Sequence, residues 1–152
     1  MKNLIYAFLI GLMATNLLQA QTQPVDENGL AIGGYDVVAY FSGTPTVGST
    51  RYTARYNEAI YRFASEGNRD AFKKNPTQYL PQFDGYCAWG VAAKDSKFPI
   101  NPETFDIIDG KLYLFFNGPF NGEPFNTALL WNKETTRLQE AAHKKWPSVK
   151  KK

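Results

Sequence analysis

Cys87 is the only cysteine in this chain of 152 residues, and its thiol offers the widest chemistry of any side chain present. It lies between Gly85 and Gly90, with Tyr86 and Trp89 as large aromatic neighbours. A thiolate is both a nucleophile and a ligand for soft metals such as copper. Cys87 is therefore the candidate catalytic residue and the candidate metal ligand. The alternative is a small buried hydrophobic residue, which is the common state of a free cysteine.

The residues around Cys87 suggest how a reactive thiol could be positioned. Glycine tolerates backbone angles that other residues avoid, so the two flanking glycines indicate a shaped loop or a helix entry. A helix that begins near Ala88 would direct its N-terminal amides at the sulfur and favour the thiolate. Tyr86, Trp89 and Tyr79 could then line a small apolar pocket that binds a ligand. Taken singly, each of these rings is better explained by core packing.

Further soft-metal ligands are scarce. Met1 and Met13 precede the predicted cleavage site, and the one histidine, His143, lies beside lysines near the end of the predicted last helix. We interpret His143 as a surface residue that interacts with the helix dipole. One chain cannot supply a closed four-ligand Cys/His site, although a site that bridges two chains through Cys87 remains open. Nucleophile-elbow, Walker and dinucleotide-binding glycine motifs are absent.

The first twenty residues predict export. Lys2 is followed by a mostly apolar run from Leu4 to Leu18, and Ala20 provides the small residue that signal peptidase requires. The run is shorter than the roughly 20 apolar residues of a membrane-spanning helix. We therefore expect a cleavable signal peptide over 1–20, a periplasmic or secreted protein, and no membrane span after cleavage.

Charge is uneven along the chain. Residues 144–152 contain five lysines, whereas residues 21–143 contain 11 Lys and Arg against 14 Asp and Glu. The body is thus slightly acidic, and it lacks the basic patch that nucleic-acid binding requires. We expect no nucleic-acid partner, and we interpret residues 148–152 as a solvated basic tail.

The remaining sequence predicts one domain over 33–147, preceded by a flexible leader over 21–32. Asp36 is a candidate cap for a helical turn across 37–41, for which a short buried strand is the alternative. Larger apolar and polar side chains alternate over 51–56, which is typical of a half-buried strand, and residues 59–64 read as a second strand. Together they predict a hairpin across Asn57 and Glu58. Ser65 is placed to cap a helix over 66–74, which Pro76 ends.

The second predicted hairpin turns at Asp109-Gly110, between the β-rich runs 104–108 and 111–116. Residues 117–126 are rich in Asn, Gly and Pro, and we expect them to be irregular. A last helix over 128–146 should stop at Pro147. The fold class is therefore α+β: a small single domain with two antiparallel β-hairpins, a central short helix and a C-terminal helix.

Several blocks in order resemble the exported YHS-domain proteins of bacteria. They are Gly-Tyr-Asp-Val-Val-Ala-Tyr-Phe at 34–41, Tyr-Arg-Phe-Ala-Ser-Glu-Gly-Asn-Arg-Asp-Ala-Phe at 61–72, Asn-Pro at 75–76, Gly-Tyr-Cys-Ala-Trp-Gly-Val-Ala at 85–92 and Asp-Gly-Lys-Leu-Tyr-Leu at 109–114. The resemblance covers about 33–146, although the Tyr-His-Ser triplet that names the family is absent. It implies a small cysteine-bearing module linked to metal handling. Some relatives are selenoproteins, which implies redox or soft-metal chemistry at Cys87.

The leading hypothesis is an exported YHS-type domain whose Cys87 binds a soft, copper-like metal ion or performs thiol redox chemistry. The alternative hypothesis is a non-catalytic module with a structural Cys87, which binds a small ligand or another exported protein through an aromatic pocket. An independent enzyme with turnover ranks third. The two leading hypotheses differ in one measurable property, because only the first requires a thiol that is reachable and partly ionised.

Overall fold

The computed structural model describes residues 23–152. Its strands form three separate antiparallel pairs and its helices follow no repeating order, so the expected α+β class is confirmed. The strands are β1 (Ser49–Tyr56), β2 (Ala59–Phe63), β3 (Asn101–Ile108), β4 (Lys111–Phe115), β5 (Asn117–Phe120) and β6 (Glu123–Asn126). The α-helices are α1 (Glu66–Lys74), α2 (Pro76–Tyr79), α3 (Ala88–Lys94), α4 (Thr127–Trp131) and α5 (Thr135–Val149). Short 3₁₀ turns cover Ile32–Gly34, Ala39–Ser42 and Gln82–Gly85.

The first hairpin and the helix after it follow the sequence prediction. Strands β1 and β2 pair up to the two-residue turn at Asn57 and Glu58, both of which have positive φ. Helix α1 begins after Ser65, whose hydroxyl accepts the amide hydrogen of Asn68 at 3.1 Å. That bond satisfies one of the free amides of the first helical turn. The predicted hairpin and the capped helix over 66–74 are therefore confirmed.

The second hairpin forms the centre of the protein. Strand β4 pairs with β3 through the turn at Asp109 and Gly110, where φ is 51° and 69°, as the Asp-Gly pair predicts. Leu112 and Leu114 on one face of β4 pack in one hydrophobic cluster, while Tyr113 and Phe115 on the other face pack in a second. Because side chains alternate along a strand, β4 separates the core into two halves.

A third hairpin occupies residues 117–126, where irregular structure was expected. Strands β5 and β6 pair around a turn at Asn121 and Gly122, with φ of 52° and 84°. Asn-Gly provides the same positive-φ turn chemistry as Asp-Gly. Pro119 and Pro124 face each other in this pair, and a two-stranded sheet tolerates them because every strand is an edge strand. Both predicted hairpins are present, but the expectation of irregular structure over 117–126 was wrong, since a third hairpin lies there.

The C-terminal helix also differs from its prediction. Two helices, α4 and α5, replace the single helix expected over 128–146, and α5 continues through Pro147 to Val149. Val149 is almost fully buried. Pro147 lacks the amide that would bond to the carbonyl of His143, so α5 loses one internal hydrogen bond there and still continues for two residues.

Several lysines near the chain end form hydrogen bonds with backbone carbonyls. Lys145 Nζ donates to the carbonyl of Ala92 at 2.7 Å, and Lys152 Nζ donates to that of Asp95 at 2.8 Å. In return, Lys97 Nζ donates to the carbonyl of Lys150 at 3.0 Å. Lysines thus satisfy free carbonyls at the ends of both α3 and α5. Residues 148 and 150–152 are exposed, as a solvated tail requires, but Val149 is buried and two of these residues, Lys150 and Lys152, also bond to the domain.

The N-terminal segment is packed from Pro24 onward. Ile32 donates its amide to the carbonyl of Pro24 at 2.8 Å, and Ala31 donates to that of Ile60 on β2 at 2.9 Å. Ala31 and Ile32 are both buried. The expectation of a flexible leader was therefore wrong for residues 24–32. These residues pack against the domain, and we call them the N-terminal wall. The predicted signal peptide over 1–20 lies outside the described residues, and within 23–152 no helix is long and apolar enough to cross a bilayer.

Candidate functional site

Cys87 immediately precedes α3, so the helix begins where the sequence predicted. The side chain is fully buried, and its Sγ lies 3.3 Å from Oγ1 of Thr127. Thr127, also buried, donates its hydroxyl hydrogen to the carbonyl of Phe116 at 2.9 Å. A hydroxyl has one hydrogen to donate, so the thiol must donate to the threonine oxygen. The geometry therefore holds Cys87 as a protonated thiol at one end of a buried hydrogen-bond chain.

Burial decides the acidity of this thiol. It raises the pKa of Cys87 above its ordinary value, while the contact with Thr127 and the amides of Gly90, Phe116 and Trp89 act in the opposite direction. The helix amides anticipated from the sequence are present, but desolvation of the charged form outweighs them. The helix entry therefore favours the thiolate as expected, but its effect is smaller than that of burial.

We expect the Cys87 thiol of the folded protein to resist alkylation. A fully buried thiol can react only when the structure opens, so iodoacetamide should label native protein at least about 100-fold more slowly than denatured protein. Labelling is followed by intact mass with and without urea. Fast native labelling with an apparent pKa below about 7.5 would contradict the buried assignment.

The raised pKa of Cys87 also has a consequence for stability. A thiol that holds its proton more tightly in the folded state contributes stability that is complete below the unfolded pKa of about 8.5 and lost as pH rises above it. The free energy of unfolding should therefore fall more steeply from about pH 8 to 10 in the wild type than in Cys87→Ser. The serine hydroxyl can still donate to Thr127 but does not titrate in this range. Equal slopes would contradict the raised pKa.

Among the described residues, the neighbours of Cys87 do not supply the ligands of a copper site. Within residues 23–152 no group of three or more His, Cys, Asp or Glu side chains is arranged to hold a metal ion. His143 contacts the hydroxyl of Tyr113 at 3.1 Å. Thr127 provides only a hydroxyl, which is a hard and weak ligand for a soft metal. A site that bridges two chains would need an exposed thiol, and Cys87 is fully buried.

His143 belongs to a small polar chain rather than to the helix end alone. Gln139 donates to the hydroxyl oxygen of Tyr113 at 2.8 Å, which leaves the Tyr113 hydrogen for Nε2 of His143. Partial desolvation, with a smaller effect of the Lys111 charge, lowers the pKa of His143, which lies at the surface as the sequence predicted. These contacts give the histidine a structural role between β4 and α5.

The three aromatic side chains predicted to line a pocket lie in different surroundings. Tyr79 contacts Phe41 at a ring-centroid distance of 5.4 Å, Tyr86 contacts Trp146 at 6.4 Å, and Trp89 contacts Phe125 at 5.5 Å. All three are partly buried. These contacts correspond to the core-packing alternative for Tyr79 and Tyr86, whereas Trp89 lies beside an apolar cavity.

That cavity, which we call the aromatic pocket, has a volume of about 200 Å³. Its lining is entirely apolar and consists of Phe98, Pro99, Phe116, Phe120 and Phe125. Hydrogen bonds from Cys87 and Thr127 hold the backbone of two lining residues. The Cys87 amide donates to the Phe98 carbonyl at 3.1 Å, and Thr127 donates to the Phe116 carbonyl. Cys87 and Thr127 therefore help to position the wall of this pocket.

The third hairpin provides one side of the aromatic pocket. Phe125 on β6 opposes Gly118 on β5, and Phe120 lies two residues further along the same face. Both rings consequently project from one side of the hairpin. The sequence signal that could have revealed this wall is the Asn121-Gly122 turn.

The two glycines beside Cys87 have different roles. Gly85 has φ of +84°, as a shaped loop requires. Gly90 lies inside α3, and a Cβ at this position would approach the ring of Phe98 to 2.9 Å. Gly90 therefore allows the helix to pack closely against the aromatic pocket.

No protein-family model, curated protein or solved structure matches this chain. The resemblance to exported YHS-domain proteins stays a prediction that rests on the sequence blocks themselves. The function has to be inferred from the geometry of a buried thiol and of an apolar pocket supported by the same backbone.

Proposed function

We propose that this chain is a non-catalytic binding module whose aromatic pocket takes the ring of a small aromatic molecule. The carrying observation is an apolar cavity of about 200 Å³ bordered by four phenylalanines. A dry apolar cavity of about 150 Å³ is large enough to hold benzene. Because no polar side chain lines the pocket, the part of the ligand that enters must be apolar.

The exposure of Phe120 supports a binding role. This ring is 50% exposed at the pocket rim, next to Phe125 at 5.6 Å and Phe116 at 6.4 Å. A half-exposed ring has unused contact area, which a bound aromatic ring would cover. Each aromatic contact of this kind contributes about 0.5–1.5 kcal/mol beyond area burial.

The hypothesis of soft-metal binding or thiol redox at Cys87 has less support. Both chemistries need a thiolate that the metal or the oxidant can reach. Cys87 is fully buried, and burial raises its pKa. The proposal retains the expectation that the module acts in the periplasm or outside the cell.

We expect Phe120→Ala to weaken binding of benzyl alcohol by about fivefold, because at least one ring–ring contact is lost. The probe is titrated into labelled protein, and the amide chemical shifts of Phe98, Phe116 and Phe125 give the dissociation constant. Leu129→Ala is the matched control: Leu129 is 63% exposed on α4 and does not line the pocket. Binding to this variant should equal that of the wild type.

Two outcomes would contradict the proposed function. One is the absence of saturable shifts around the pocket, and the other is equal weakening by both variants. Cys87→Ser provides a further test of the structural role of the thiol, since this variant should bind the probe as the wild type does.

A further inference from the structure

A second and larger cleft, of about 360 Å³, lies where the N-terminal wall, the first hairpin, the loop before Cys87 and the chain end meet. It shares no lining residue with the aromatic pocket. Its walls combine apolar side chains, including Val25, Ile32 and Leu80, with polar ones. The volume lies within the range of about 300–1,000 Å³ that is typical of small-molecule sites.

One ion pair lines this cleft. Lys150 Nζ lies 2.8 Å from Oδ2 of Asp84, and both side chains are more than half exposed. A pair this exposed contributes little to stability by itself. It nevertheless provides one negative and one positive group side by side. A ligand that carries an ammonium and a carboxylate could lie antiparallel to this pair, with each charge beside its opposite.

The backbone that positions Asp84 is strained. Phe83, Asp84 and Gly85 have consecutive φ values of 57°, 50° and 84°. This turn buries Phe83 in the core while Asp84 lines the cleft. Two non-glycine residues in the left-handed region are unfavourable, and such strain concentrates at ligand sites.

Tyr61 adds a hydrogen-bond donor to the cleft. The residue is only 8% exposed, and burial together with the charge of Asp84 raises the pKa of Tyr61 to about 12. The phenol is therefore neutral near pH 7, and its hydrogen is available to a ligand carboxylate.

We infer that this cleft binds a free α-amino acid with an aliphatic side chain. Asp84 pairs with the ligand ammonium, Lys150 and the Tyr61 hydroxyl hold the carboxylate, and the side chain packs against Val25, Ile32 and Leu80. This inference goes beyond the aromatic pocket, because it assigns a second site with different ligand chemistry.

Leucine and two single-charge analogues with the same isobutyl side chain test the inference. In a chemical-shift titration, leucine should give saturable shifts at residues 25, 59 and 61. Isopentylamine lacks the carboxylate and 4-methylpentanoate lacks the ammonium, so each should bind at least about fivefold more weakly. Absence of leucine binding, or equal binding by either analogue, would overturn the inference.

Variants locate the interaction. Lys150→Gln and Asp84→Asn should each weaken leucine binding by about three- to fivefold, and Tyr61→Phe by a similar factor. Lys151→Gln makes the same charge change one residue along and should leave binding unchanged. An equal effect of Lys150→Gln and Lys151→Gln would show attraction by net charge alone and overturn the site. Saturating leucine should leave benzyl alcohol affinity unchanged, so each site can fail independently.

Discussion

Replacing Asp36 with alanine is expected to lower the free energy of unfolding by about 3–5 kcal/mol. The carboxylate is fully buried and accepts four hydrogen bonds. Oδ1 accepts the amides of Val38 and Ala39 at 2.9 and 3.3 Å, and Oδ2 accepts the Ala64 amide and Asn68 Nδ2 at 2.8 and 2.7 Å. Alanine would leave the amides of Val38 and Ala64 and the side chain of Asn68 without this acceptor at part-buried positions, while the Ala39 amide would keep its bond to the backbone carbonyl at position 36. Urea unfolding followed by circular dichroism measures the loss.

Two further variants separate the buried network from the loss of a charge. Asp70→Ala removes an exposed carboxylate that pairs with Arg69, and should cost less than about 1 kcal/mol. Asp36→Asn keeps one acceptor oxygen but turns an amide donor toward two other donors, so its cost should lie between the two alanine variants. A loss below about 1 kcal/mol for Asp36→Ala would contradict the network.

Local turn and cap chemistry made much of the fold predictable. Asp109-Gly110 correctly predicted the second hairpin, and Ser65 correctly predicted the start of α1, because each signal is contained in a few neighbouring residues. The same rule applied to Asn121-Gly122 would have predicted the third hairpin, but Pro119 and Pro124 favoured irregular structure. The N-terminal wall over 24–32 was unpredictable for another reason, since its bonds to β2 depend on tertiary contact rather than local sequence.

The sequence predicted where the Cys87 region lies in the fold, but not that its thiol is buried and protonated. The sequence located the start of α3 at Ala88, and it identified Cys87 and Trp89 as parts of a special region. It could not show that Thr127, forty residues away, would bind the thiol. The balance between burial and helix amides also depends on tertiary packing. The aromatic pocket was missed because it joins Phe98 to rings on β5 and β6, which were not expected to form strands.

Gly48→Ala is expected to lower the free energy of unfolding by about 2–3 kcal/mol. An added Cβ would lie 2.4 Å from the backbone carbonyl carbon of Arg62 and 2.6 Å from its oxygen. Side-chain rotation cannot relieve a contact with backbone atoms, so the start of β1 and the end of β2 must separate. Alanine also reduces the conformational entropy of the unfolded chain, which stabilises the folded protein by only about 0.4–1 kcal/mol. The steric clash therefore determines that the substitution is destabilising. Displacing Arg62 would also move its neighbour Tyr61, and leucine binding should weaken with stability.

Gly67→Ala makes the same chemical change where the structure has room. Gly67 lies in α1, and its nearest neighbour would be the Ser65 hydroxyl oxygen at 3.9 Å. Alanine is the better helix former, so this variant should gain up to about 1 kcal/mol. Opposite signs for the two substitutions would show that close approach of β1 to β2, rather than glycine flexibility in general, requires Gly48. Equal melting temperatures of Gly48→Ala and the wild type would mean that the backbone at Arg62 can move freely, and the register of the first hairpin would need revision.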